Sequence, residues 1–261
     1  MLKKASKSCW KEYWDEKNRS TVSDYQVDRG TRPRNAEIET LSNKELLAFI
    51  AAEPTDVVFD AGCGTGANIL LLQPCVCRIS GMDYSDVAVA RCKKRLALTN
   101  IRNVEVFQGN VTSIPLPDES VDRVLCMSVL QYLDDAQLRA AFREFARILK
   151  KDGALVLHVK NLASLYLSTL WLAKHLLRVV GRDTKLEYFR TFRGYVGELR
   201  AAGFRVLNYR SLNVFILERM PRKLVLSLQK FELSHQNHFP FSSGFLRRHG
   251  PELKIRAQLQ K

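Results

Sequence analysis

Apolar positions fall along the chain in short blocks of two kinds. Val57-Val58-Phe59, Arg78 to Met82, Asn103 to Gln108, Val121 to Val129 and Ala154 to Val159 are compact runs rich in β-branched and apolar residues. Their β-branched and apolar content reads as strand. Helix-type stretches lie between them. Asn68 to Leu72 is one, and Asp86 to about Leu98, N-capped by Ser85, is another. A third starts at Asp134 or Asp135 and repeats Leu138, Phe142, Phe145, Ile148 and Leu149 at helical spacing until Gly153. Ser42 is placed to cap a helix through Ile50, and Thr191 to Ala202 is a helix closed by Gly203. Phe204 to Tyr209 and Val214 to Glu218 are two more strands, close enough to pair antiparallel around Arg210 to Asn213. Strands alternating with helices predict a doubly wound α/β domain. Its sheet is Rossmann-like, seven-stranded and mostly parallel, with helices on both faces and an antiparallel last strand.

Composition bounds this picture. A chain of 261 residues with 46% hydrophobic residues can bury one substantial core, which excludes wholesale disorder. The expected division is a lid segment at 1–40, a main domain at 41–218 with a helical insertion at 161–188, and a basic extension at 219–261. Lys plus Arg number 41 against 27 Asp plus Glu, a net charge of +14. Residues 151–261 hold 20 of the basic and 7 of the acidic side chains, a surplus of 13. That half is therefore expected to meet something anionic. The six Cys include no Cys-x-x-Cys pair, and no His stands at zinc spacing, so no metal site is expected. The first twenty residues are polar and basic with no apolar core, unlike a signal peptide. The expected location is cytoplasmic, with peripheral membrane contact as an option.

The chemistry concentrates in Val57-Val58-Phe59-Asp60-Ala61-Gly62-Cys63-Gly64-Thr65-Gly66. Three alternating glycines let a turn meet a ligand with bare backbone. A nicotinamide site would show GxGxxG with pyrophosphate at the helix N-terminus. Here the spacing is GxGxG, and Asp60 disfavours pyrophosphate. A cationic ligand with hydroxyl and amine groups suits it better. S-adenosylmethionine has a sulfonium, an ammonium and ribose hydroxyls, and no phosphate.

With this turn the chain resembles a class I S-adenosylmethionine-dependent methyltransferase. Gly81-Met82-Asp83-Tyr84-Ser85 is similar to the family's second-strand end, where an acidic residue holds both ribose hydroxyls. Gln108-Gly109-Asn110-Val111 is similar to the third-strand end that meets the adenine, with Asn110 where Asp is common. Pro115 to Leu133 resembles the fourth-strand signature of the small-molecule branch, which includes quinone-ring C-methyltransferases. The resemblance implies cofactor contacts from Asp60, Gly62, Cys63, Gly64 and Gly66 in the turn. It adds Asp83 and Tyr84, Asn110 and Val111, and Met127. Cys63 itself reads as a small residue filling the turn, and Asp122 as structural.

Gln131-Tyr132 stands where that branch often has His, which removes an obvious base. Tyr132 and His158 are the remaining catalytic candidates. Tyr132 reads equally as pocket wall, and His158 as a buried, hydrogen-bonded strand residue. The N-terminal aromatics Trp10, Tyr13, Trp14 and Tyr25 belong to a lid over the cofactor or to a helix on the flank. Residues 162–180 carry an apolar helical stripe opposite Lys174 and Arg178, which suits a pocket cover or an interfacial helix. Pro221 to Ser234 is a second amphipathic helix with Leu224, Leu228 and Phe231 on its apolar side. Aromatic and basic residues interleave through 239–256, in a pattern that suits single-stranded nucleic acid, lipid phosphate or plain solvation. The implied function is methyl transfer to a small or lipid-linked acceptor. The alternatives are RNA methylation and a non-catalytic binding protein.

Overall fold

The computed structural model describes residues 7–21, 24, 35–99, 101–164, 167–169, 171–173, 187–212, 221–235 and 251–260. Helix α1 is Lys7–Ser20 and α2 is Ala36–Ile50. Strand β1, Val57–Ala61, leads through the glycine turn into α3, Ala67–Leu72. Strand β2, Arg78–Asp83, is followed by α4, Asp86–Ala97, and then by β3, Val104–Gln108. Next come β4, Val121–Met127, α5, Asp135–Ile148, and β5, Leu149–Lys160. The chain ends with α6, Phe192–Ala201, β6, Phe204–Leu212, α7, Arg222–His235, and β7, Glu252–Leu259.

These strands form one seven-stranded sheet in the order β3-β2-β1-β4-β5-β7-β6. The pairs β1–β2, β2–β3, β1–β4 and β4–β5 are parallel. β7 runs antiparallel between β5 and β6, from Lys160↔Glu252 to Ala154↔Gln258 on one side and from Phe204↔Leu259 to Leu212↔Glu252 on the other. Alternate residues of the central strands enter two cores. Phe59, Val124, Leu155 and Leu157 meet Phe142 and Phe145 of α5 and Tyr195 of α6. Val58, Leu125 and Val156 meet Phe49 and Ile50 of α2, Ile69 of α3 and Cys92 of α4. Full burial stabilises each large apolar side chain by roughly 1.5–3 kcal/mol, more than an exposed ion pair supplies.

The predicted α/β alternation and antiparallel final strand are present, but that strand comes from different residues. Val214 to Glu218 lie outside the described residues. The antiparallel strand is Glu252–Leu259, from the stretch expected to be extension, so the sheet does not end at residue 218. In this strand Leu253, Ile255, Ala257 and Leu259 are buried and alternate with Glu252, Lys254, Arg256 and Gln258. That is a period of two, disguised by basic residues.

Helix α2 starts six residues before Ser42, because the Asn35 side chain accepts from Ile38 N–H at 2.8 Å and caps it. Helix α5 stops at Ile148, and β5 begins at once at Leu149, five residues before the expected Ala154. Helix α7 packs on α2 through Val225, Gln229 and Glu232, while Leu224 and Phe231 are 46% and 47% exposed. Its apolar stripe is therefore not its buried face. Asp122 is structural, as expected: its carboxylate accepts from Val57 N–H at 2.9 Å and from Lys150 Nζ at 2.8 Å, joining the starts of β1, β4 and β5. Tyr25, Lys174, Arg178 and the 239–249 part of the aromatic and basic tract lie outside the described residues.

Ile255 is fully buried in the inserted strand. Ile255→Ala is expected to destabilise the protein by about 2–5 kcal/mol in urea titration. A loss under about 1 kcal/mol would mean that residues 252–259 are a dispensable tail.

Candidate active site

The glycine turn leaves β1 at the C-terminal edge of the sheet. Gly62 and Gly66 have φ of +87° and +91°, where L side chains are strained. A Cβ on Gly62 would stand 2.1 Å from Val129 Cγ2, and one on Gly66 would stand 2.5 Å from Cys92 Sγ. The turn is bound to β2: the N–H groups of Gly62 and Cys63 donate to Met82 O at 2.7 and 3.0 Å. Asp83 follows at the lip. Its Oδ2 accepts from Gly64 N–H and its Oδ1 from Ser85 N–H, both at 2.9 Å. The carboxylate is thus held in one orientation at the lip of the turn.

Ser85 caps α4 through Ala88 N–H, and its hydroxyl donates to Asp15 of α1 at 2.6 Å. Burial opposes ionisation of Asp15. Hydrogen bonds from Lys11 and Ser85 outweigh it and hold the carboxyl below its usual range. Arg91 of α4 donates to the carbonyls of Asn18 and Thr21. Residues 11, 15 and 18 therefore face α4. The adjacent stripe, residues 10, 14 and 17, faces the segment after β4. The Trp10 and Trp14 rings lie 4.6 and 5.5 Å from the Tyr132 ring, and Tyr13 packs on both Trp rings. Lys17 Nζ sits 4.3 Å over Trp14. Burial, and then the charge of Lys160, push the Lys17 ammonium below its ordinary pKa. Helix α1 is thus docked on the flank of α4 and also spans to the end of β4.

The structure brings most of the predicted residues to this edge. Asp60 is fully buried at the end of β1, where a carboxylate suits a cationic ligand group and repels a phosphate. Tyr84 is half-buried, and its carbonyl accepts from Gln108 Nε2 at 3.3 Å. Asn110 is committed locally, its Oδ1 accepting from Thr112 N–H at 3.0 Å, which leaves one lone pair for a ligand. Val111 is buried beside it, and Met127 closes β4. The Cys63 thiol packs in the turn. A hydrogen bond with Cys92, and then burial, push its pKa well up, so it is no nucleophile.

The two catalytic candidates, Tyr132 and His158, lie beyond β4 and near the end of β5. Burial, and then the charge of Glu187, push the Tyr132 phenol up and keep it protonated. Tyr132 is therefore a wall and a donor rather than a base. The adjacent Gln131 is 2% exposed, and its Oε1 has no hydrogen-bond partner among the described residues. His158 is a hydrogen-bonded strand residue, as expected, but half-buried rather than buried. Its Nδ1 is 2.8 Å from the exposed Ser128 Oγ, and its Nε2 is 3.3 Å from Glu252 Oε2. Ser128 is left-handed at φ +62°, a conformation that costs about 1–2 kcal/mol for a residue with a Cβ. Sequence reasoning missed Ser128, Glu252, Lys17 and the Ser85–Asp15 link. A polar residue directly after a strand was the only signal for Ser128, and Glu252 had none.

Residues 58–153 match the methyltransferase domain family. A probable S-adenosylmethionine-dependent methyltransferase of Mycobacterium tuberculosis is 35% identical over 136 residues, which cover 51% of this chain and 42% of that relative. The chain spans roughly half or less of the length of such curated relatives, 42% and 52% in two of them. Among solved structures, YcgJ of Bacillus subtilis has a TM-score of 0.60 at 21% identity, covering 84% of this chain and 98% of that one. The [4+2]-cyclase SpnF has a TM-score of 0.58 at 21% identity, covering 84% and 80%, so the fold alone does not carry one reaction. The matched stretch, the GxGxG turn and the braced Asp83 converge, and residues 58–153 are similar to the domain of the class I S-adenosylmethionine-dependent methyltransferases.

Proposed function

We propose that this chain moves the methyl group of S-adenosylmethionine to a small or lipid-linked acceptor. The bound cofactor supplies an electrophilic methyl group on a sulfonium. The chain supplies the holding groups. The glycine turn presents bare backbone, Asp83 offers its carboxylate to the ribose, and Asp60 favours the cationic end. Because the sulfonium is already activated, orientation contributes most of the rate.

The observation that carries the acceptor class is the wall beyond β4. Trp10, Trp14 and Tyr132 pack there as one aromatic surface, with Lys17 over Trp14 and Lys160 over Phe189. Leu167, in the expected acceptor-side insertion, is buried. Such a wall suits an apolar or aromatic acceptor.

The basic half is a weaker argument for RNA than its count suggests. Lys160 pairs with Glu187, Arg190 with Asp135, Lys230 with Glu37, and both Arg210 and Lys254 with Glu45. These cations are partly neutralised inside the molecule. The Cys126 thiol is raised by burial and by the charge of Asp60, so it offers no nucleophile for base methylation. No helix among the described residues is long and apolar enough to cross a membrane, so a lipid-linked acceptor would be met at a surface.

Two outcomes test this reading. Asp83→Ala is expected to weaken S-adenosylmethionine binding by about 2–3 kcal/mol, roughly 30- to 150-fold, in calorimetry of the folded variant. Unchanged affinity removes Asp83 from the site. With the full chain and labelled cofactor, label is expected in lipid or small-molecule fractions of a cell extract. Binding to anionic vesicles, if it accompanies transfer, is expected to fall as salt screens it over about 8 Å. Label confined to RNA would establish the RNA reading. Cofactor binding with no label in any fraction would support the non-catalytic one.

A further inference from the structure

We propose that Ser128, His158 and Glu252 form a proton relay, and that the acceptor is accordingly an alcohol or phenol that loses its proton to Ser128. This rests on the methyltransferase reading and adds to it the acceptor's chemical class and the residue that meets it.

The three side chains come from 128, 158 and 252, yet the sheet order makes them neighbours. Ser128 is the first residue after β4, His158 lies near the end of β5, and Glu252 opens β7. β4 and β5 are in parallel register with Met127 opposite His158. β7 pairs with β5, Lys254 opposite His158 and Glu252 opposite Lys160. In an antiparallel pair, opposed residues and those two positions along share a face. His158, Lys160, Glu252 and Lys254 are therefore on one face. Of these, Lys160 is tied to Glu187, and Lys254 is tied to Glu45 of α2. Glu252 is the carboxylate that meets the imidazole, Oε2 lying 3.3 Å from Nε2. That contact is at ion-pair distance but off the line of a hydrogen bond.

The relay requires the Nε2–H tautomer. Nε2 is buried, so a hydrogen on it is best placed toward the Glu252 carboxylate. Nδ1 then has a lone pair 2.8 Å from Ser128 Oγ and accepts the serine hydrogen. The serine hydroxyl is polarised and remains exposed at the open edge of the sheet. A purely structural role for the Ser128 side chain is redundant, because Ser128 N–H already donates to His158 O at 2.8 Å and holds the turn. The left-handed φ of Ser128 is a second sign, since strain of this kind gathers where a side chain must be aimed. Tyr132, the neighbouring candidate, is held protonated by burial and cannot take the proton.

The acceptor oxygen forms a bond to the methyl carbon as the carbon–sulfur bond breaks and its electron pair stays on sulfur. The proton of the acceptor O–H passes to Ser128 Oγ while the serine proton passes to His158 Nδ1. The resulting imidazolium faces the Glu252 carboxylate, and solvent later removes the proton. Ser128 is the catalytic residue; His158 and Glu252 act through it.

The test has one arm that needs no acceptor. In the full chain with ¹⁵N-labelled histidine, His158→Gln identifies the His158 signals among the five His. The neutral ring is expected as the Nε2–H tautomer. Glu252→Gln is expected to shift the neutral ring away from the Nε2–H tautomer, because the carboxylate beside Nε2 is lost. A neutral Nδ1–H tautomer, or no change in Glu252→Gln, overturns the relay. The second arm follows labelled methyl transfer to a panel of simple phenols and alcohols. Ser128→Ala is expected to slow it at least about 100-fold, with S-adenosylmethionine affinity within twofold by calorimetry. Wild-type rates in Ser128→Ala, or transfer confined to a thioether or tertiary amine with no proton to lose, also overturn it. Failure of the wild-type chain to bind S-adenosylmethionine would instead take down the methyltransferase reading, and the spectra would still decide the relay.

Discussion

The Asp83 carboxylate joins pieces of chain that are otherwise separate. One oxygen holds Gly64 N–H of the glycine turn, and the other holds Ser85 N–H at the start of α4. Ser85 then reaches Asp15 of α1, and Asp15 reaches Lys11. A single strand-end carboxylate thus sets the turn, the helix cap and the docking of the N-terminal helix. Hydrogen bonds to an ionised acceptor contribute about twice what neutral ones do, and here they are spent on orientation. The aromatic face of α1 is placed on Tyr132 by the same chain of contacts. The glycine turn and the segment beyond β4 are thus linked through α1 as well as through the sheet.

The second organising element is the insertion of β7. Parallel strands deliver their loops to one edge, which collects Asp60, Asp83, Asn110 and Met127. An antiparallel strand reverses that rule: β7 brings its first residue, not its last, to the same edge. Glu252 arrives beside His158 for this reason. The same strand buries Leu253, Ile255, Ala257 and Leu259, so the part that completes the core also carries a charged group to the site.

Much of this was legible in the sequence, and the failures have physical causes. The glycine turn, the Ser85 cap and the parallel strands are local signals, readable from spacing and residue type. Asp122 was correctly read as structural. β7 was not legible because Glu252, Lys254, Arg256 and Gln258 interrupt its apolar residues, and the charges read as a solvated tail. Lys254 is in fact buried and paired with Glu45, a partner some two hundred residues away. Helix α7 misled in the opposite way. Gln229 and Glu232 occupy its buried face, while Leu224 and Phe231 are largely exposed, so tertiary packing overrode the apolar stripe. Of the expected helix over 162–180, residues 162–164 are turn and bend, and 167–169 and 171–173 are helical. Ser128 and Glu252 escaped notice because their meaning depends on His158 standing between them.

The central claim concerns the kind of ligand the glycine turn takes. GxGxG with a buried Asp60 and a braced Asp83 favours a sulfonium and ammonium ligand with free ribose hydroxyls, and opposes pyrophosphate. The most direct measurement titrates the full chain, in one calorimeter and one buffer, with S-adenosylmethionine and separately with NAD⁺. One saturable site for S-adenosylmethionine and no heat of binding for NAD⁺ are expected. Binding of NAD⁺ with none of S-adenosylmethionine would contradict the central claim.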